Sequence, residues 1–135
     1  MEKNAEKWRA HKKRSCILVF GLVIFFNCFG FPVYNLGRAW PLSIVAEYIC
    51  ISVESAVFTG GALAALFPEK RCGFIVLLTA VLACAGMGCR FLLEFGEVSN
   101  TYNFTLPNMA LHLGVFLGLS ELSWLYAVKS IRARA

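Results

Sequence analysis

The chain has 135 residues, of which 59% are hydrophobic and only 16% charged, and its 13 Lys and Arg against 8 Asp and Glu leave a net charge of +5. The mean hydropathy is +0.66, whereas a soluble domain runs at about 45–50% apolar and about 25% charged. These values exclude an ordinary water-soluble globule, and they leave little length for a separate soluble catalytic domain.

Four apolar runs fill most of the chain, at residues 15–31, 42–67, 73–95 and 106–128. Each is close to the roughly 20 helical residues that cross a hydrocarbon layer. The expected fold is all-α: one integral membrane four-helix bundle over residues 1–135, with short connecting loops and the lipid bilayer as its solvent. Ahead of the first run, residues 1–14 read as a basic amphipathic lead-in. Trp8 suits the interface, and Lys12, Lys13 and Arg14 suit anionic headgroups. A signal peptide has a similar basic-then-apolar pattern, but nothing after Phe26 resembles a small-residue cleavage site.

After the first span, Pro32, Asn35, Gly37 and Arg38 mark a turn, and Trp40-Pro41 opens the second span. That span ends at Phe67-Pro68, and the tight turn Pro68-Glu69-Lys70-Arg71 predicts an antiparallel hairpin of the second and third spans. The third span ends near Phe95-Gly96. The next loop, residues 97–105, carries Asn103-Phe104-Thr105, which matches the N-glycosylation acceptor pattern and makes Asn103 a candidate acceptor. Near the far end of the fourth span, Trp124 and Tyr126 read as interface anchors.

Eleven of the 13 basic residues lie in the tail before Ser15, the Lys70-Arg71 turn and the tail from Lys129 onward. An even number of spans puts all three regions on one side, and the positive-inside rule makes that side cytoplasmic. Both termini are therefore expected in the cytoplasm, and no nucleic-acid partner is expected. The six cysteines show neither CxxC nor metal-ligand spacing, so no metal site is read from them. No motif names a cofactor.

Ionisable groups inside the runs are the best handle on function, because a charge near the bilayer centre costs on the order of 3 kcal/mol. At 1.5 Å per helical residue, Glu47, Arg90 and His112 each lie about 8–9 Å from the exterior ends of their helices. Glu47–Arg90 is the leading pair, with Glu94, four residues from Arg90, as the competitor. Glu54 and Glu121 form a deeper layer with no basic residue beside them, expected to face protein or water. There they either hydrogen-bond as neutral acids, serve as a proton or cation site, or await a basic residue on another subunit. Gly60, Gly61 and Gly86, and the pair Gly114 and Gly118 in a GxxxG run, are candidates for close helix packing.

No Ser/His/Asp grouping, phosphate loop or HExxH motif appears. The reading therefore leans away from an enzyme, although a base built from His112 and Glu47 stays open on geometry alone. Two functions are expected from these residues. The first is a non-enzymatic membrane partner protein (a small subunit, assembly factor or regulator) acting on another membrane protein through its transmembrane faces. The alternative is a small homo-oligomeric transporter or channel that couples protons or cations to the intramembrane glutamates.

Overall fold

The computed structural model describes residues 2–31 and 42–134, with the side chains of residues 2–9, 42–45, 47 and 48 excepted. The turn at Pro32, Asn35, Gly37 and Arg38, the Trp40-Pro41 start, and the side chains of Trp8 and Glu47 lie outside the described residues. Five helices follow in order: α1 (Glu2–Gly30), α2 (Leu42–Leu66), α3 (Cys72–Leu93), α4 (Val98–Asn103) and α5 (Leu106–Arg134), with no strand among the described residues. Four helices are long and apolar enough to cross a membrane, over Ala10–Gly30, Ile49–Leu66, Cys72–Leu93 and Leu106–Arg134. The basic lead-in is no separate helix, since α1 runs unbroken from Glu2 into the apolar stretch.

Local chemistry sets the helix ends. The α2 ladder closes with Phe67 N–H on the Leu63 carbonyl at 2.8 Å, just before Pro68, which lacks a donor and disfavours helical backbone in its predecessor. Beyond α3, Gly96 takes φ 87°, a left-handed turn that a residue with a Cβ rarely adopts. It redirects the chain into the six-residue α4. Pro107 falls in the first turn of α5, where its missing N–H would be unpaired in any residue.

The packing is interleaved. The most extensive interfaces are α2 with α5 and α1 with α3, followed by smaller α1–α2 and α3–α5 interfaces. The contacts order the four long helices around a square as α1, α3, α5, α2, and place α2 and α3 across a diagonal. The antiparallel hairpin expected from the short turn is thus splayed, and Phe67 meets Phe74 near the turn. The reason lies in the small residues. A Cβ on Gly60 would stand 2.2 Å from the Ser120 carbonyl oxygen and 2.7 Å from the Trp124 nitrogen, and one on Gly86 would stand 2.6 Å from the Ile24 carbonyl oxygen. At these two points helix backbones nearly touch, and neither contact joins α2 to α3. Nothing lies within 4 Å of a Cβ added at Gly61, Gly114 or Gly118.

Along the four apolar stretches, uncharged polar side chains gather inside and many large apolar ones face out. Asn27, Ser52, Ser55, Thr59, Thr79, His112 and Ser120 are buried, while Leu77, Leu92, Leu122 and Leu125 stand exposed. That inversion suits a solvent of lipid tails, in which apolar surface gains nothing by leaving and polar groups must find partners inside. Two apolar layers fill the space between. One gathers Val23, Ala56, Leu82, Ala83 and Phe116, and the other Leu63, Ala64, Ile75, Trp124 and Val128. Trp124, read from sequence as an interface anchor, is only 4% exposed, whereas Tyr126 is 78% exposed. Trp124 continues the every-fourth-residue buried line of α5 through His112, Phe116 and Ser120.

Gly60→Ala and Gly86→Ala are each expected to destabilise the bundle by about 1–3 kcal/mol through forced helix separation. Gly61→Ala and Gly114→Ala are expected to be neutral or stabilising, since alanine is the better helix former. Unfolding midpoints in mixed micelles, titrated with an anionic detergent, measure the difference.

Candidate functional site

Three polar groupings stand at two depths of the bundle. At the end remote from the chain termini, Arg90 and Glu94 form an i, i+4 ion pair in the last turns of α3. Glu94 is buried, and its second carboxylate oxygen accepts a hydrogen bond from Asn103 Nδ2 at 3.0 Å. Asn100 Nδ2 in turn donates to the Phe91 carbonyl at 3.3 Å. The short α4 thus folds back over the end of α3 and is latched there by two amides. Between the two acids weighed from sequence, Glu94 is the one described beside Arg90; the Glu47 side chain lies outside the described residues. The Asn103 nitrogen to which a glycan would attach is the atom bonded to Glu94.

Beside this latch, His112 reaches across the diagonal from α5 to α1, with its Nε2 2.9 Å from Asn27 Oδ1. Asn27 Nδ2 donates to the Val23 carbonyl at 2.8 Å, so its oxygen is the atom left to face the imidazole, and His112 Nε2 must carry the hydrogen. Phe31 meets the imidazole edge-on at 5.4 Å, and Phe116 stacks on it at 6.0 Å. Phe104 packs on Phe31 at 4.6 Å. Aromatic walls and one amide make this a site that fixes the relative positions of α1 and α5. Sequence reasoning grouped His112 with Arg90 by depth and missed Asn27. The available signal was a lone amide within the run ILVFGLVIFFNCFG.

The deeper layer holds Glu54 and Glu121 at one depth, as Ser123 Oγ donating to the Val57 carbonyl at 2.9 Å shows for α2 and α5. Their carboxyls point apart. Glu121 is half-buried and accepts from Cys72 Sγ at 3.6 Å, across to the start of α3. Its Oε1 is buried without a hydrogen-bond partner among the described residues. Glu54 is exposed on the outer surface of the chain, and among the described residues it makes no ion pair or hydrogen bond. Of the two acids expected to face protein or water, Glu121 is partly enclosed by this chain and Glu54 stands on its outside. The buried stripe of α2 runs through Ser52, Ser55, Ala56, Thr59 and Leu63, and at about 100° per residue Glu54 falls on the opposite face. Small residues let α5 approach, and the large acid takes the far side.

Comparison with protein-family models finds no match, and none is found among curated proteins or solved structures. The fold therefore defines a class: an all-α bundle whose four long apolar helices fit a membrane protein.

Glu94→Ala is expected to cost about 3–5 kcal/mol, the range for stripping one partner from a buried ion pair. Replacing Arg90 and Glu94 together by Leu should cost much less. Detergent unfolding of the two single variants and the double variant reads the coupling.

Proposed function

We propose that this chain is a non-enzymatic subunit of a membrane complex that docks through the α2 face bearing Glu54 onto a helix of a different protein carrying a Lys or Arg at matching depth. One observation carries the reading: an acid stands on the outer surface of the bundle at the middle of an apolar helix. Glu54 is the thirteenth of the 25 residues of α2, so about 18 Å of helix separates it from either end. Facing acyl chains there, it would cost on the order of 3 kcal/mol. A cationic partner offsets that cost and makes the contact selective.

The missing charge has to come from another protein. Twelve of the 13 Lys and Arg residues lie in the tails or turns, and the remaining one, Arg90, is engaged by Glu94. A second copy of this chain thus brings no Lys or Arg to the depth of Glu54. The face around Glu54 also suits a helix: Cys50, Val57 and Phe58 are exposed beside it, and Gly61 leaves open space two turns on. The three basic regions support a topology with both termini in the cytoplasm under the positive-inside rule.

The test is cross-linking from the native thiol of Cys50, or from a photoreactive residue at position 57, in native membranes. Peptide mass spectrometry should identify a heterologous transmembrane segment containing Lys or Arg, and Glu54→Gln should lower its recovery about tenfold while leaving unfolding of the chain unchanged. Two results overturn the reading. One is a cross-link to a second copy alone; the other is a Glu54-dependent ion flux from the purified chain in vesicles, which would make it a transporter.

A further inference from the structure

At the end of the bundle that holds the chain termini, a cleft of about 470 Å³ opens between α1 and the α2–α3 turn. Its volume falls in the range of about 300–1,000 Å³ typical of small-ligand sites. One wall is apolar, formed by residues 65–68 at the end of α2, with Ala65 exposed on the outer surface of the bundle. The opposite wall and rim carry His11, Lys12 and Ser15 from α1, and Glu69 and Lys70 from the turn. Two cations and one carboxylate leave the lining net positive before His11 is counted. The Lys12 ammonium sits 5.6 Å from the centre of the Phe67 ring and the Lys70 ammonium 5.3 Å from that of Phe74, so each cation rests on an aromatic face. Arg132 of α5 holds the turn in place from outside the cleft, donating to the Pro68 carbonyl at 3.3 Å.

We propose that this cleft binds the phosphate ester of an anionic glycerophospholipid, one per chain. Lys12, Lys70 and Ser15 hold the phosphate, and the glycerol and upper acyl chain lie along Ala65 and Leu66. The chemistry follows from the combination. Ammonium and hydroxyl donors recognise a phosphate oxygen, and an apolar wall that begins where a membrane-crossing helix ends continues into the acyl region. Diffuse attraction of the basic tail to a charged surface has different consequences, because it is unsaturable and screened by salt. Glu69 on the rim disfavours a second anion. The site is independent of the Glu54 face, which lies on another part of α2.

The experiment uses the purified full chain in neutral-detergent micelles, titrated with phosphatidylglycerol or with phosphatidylcholine and read by native mass spectrometry. The expected result is saturable retention of one phosphatidylglycerol and none of phosphatidylcholine, persisting in about 1 M salt, where the Debye length is about 3 Å. Lys12→Gln combined with Lys70→Gln should weaken retention at least about tenfold, and the Arg replacements at both positions should largely restore it. Removing the same charge from exposed positions, by Lys13→Gln with Arg14→Gln, should change it less than about twofold. Glu54→Gln should leave it unchanged, which separates this test from that of the docking face. Competition by inorganic phosphate distinguishes the source. If millimolar phosphate fails to displace the lipid, the ligand is a lipid headgroup; if it displaces the lipid, the same site serves a soluble phosphate ester. Unsaturable retention, equal retention of the two lipids, or equal loss in the two double variants would overturn the proposal.

Discussion

Two backbone contacts hold the arrangement together, one at Gly60 against Ser120 and Trp124, the other at Gly86 against Ile24 and Asn27. In lipid there is no hydrophobic gain from pressing one apolar helix on another, so close van der Waals approach and interhelical hydrogen bonds carry the association. Those two points bring α2 onto α5 and α1 onto α3, and most other features follow. Ser123 can reach the Val57 carbonyl because α2 and α5 are close there. Asn27 meets His112 because α1 is brought onto α3 beside it. The stripe of small and hydroxyl-bearing residues on α2 faces inward for the same reason, and Glu54 is thereby turned out.

Among the described ionisable groups of the apolar stretches, most make contacts within the bundle and Glu54 does not. Arg90, Glu94, Asn100 and Asn103 close the end remote from the termini by binding α4 to α3. His112 and Asn27 share a hydrogen bond within aromatic walls. Glu121 is half-shielded, with a thiol at one oxygen. Each of these groups makes at least one contact within the single chain. Among the described residues Glu54 makes no such contact, and the proposed docking face rests on that.

Much of the architecture was legible from hydropathy, because four runs near the length of a bilayer crossing leave little choice of fold. The limits of the helices were less legible. Apolar runs mark where a helix can sit in lipid, while the hydrogen-bond ladder continues through polar residues, so α1 begins at Glu2 and α5 runs on to Arg134. The six-residue α4 has no periodic signal long enough to read. Trp124 was misplaced because a Trp near a span end suits both the interface and an interior line, and only the fourfold spacing from His112 decides. Glu54 was readable in principle: in membrane helices small residues face neighbours, and the small stripe on α2 lies opposite the acid. Its depth, and its sharing of a face with Glu47 seven residues earlier, can be read from spacing; its position opposite the small stripe follows only when the two faces are compared.

The diagonal placement of α2 and α3 bears on how the molecule is made. Helices enter a bilayer in order of synthesis, and here the principal mate of each of the first two is not the next to emerge. α1 waits for α3, and α2 waits until the last long segment, α5, has been threaded. During that interval the groove beside Gly60, with Ser52, Ser55 and Thr59 along it, has only α1 for company. In such an intermediate the hydroxyl-bearing side chains of that cleft would lack the helix that covers them in the finished bundle. A ribosome stalled before residue 106 would strand the nascent protein in that half-built state.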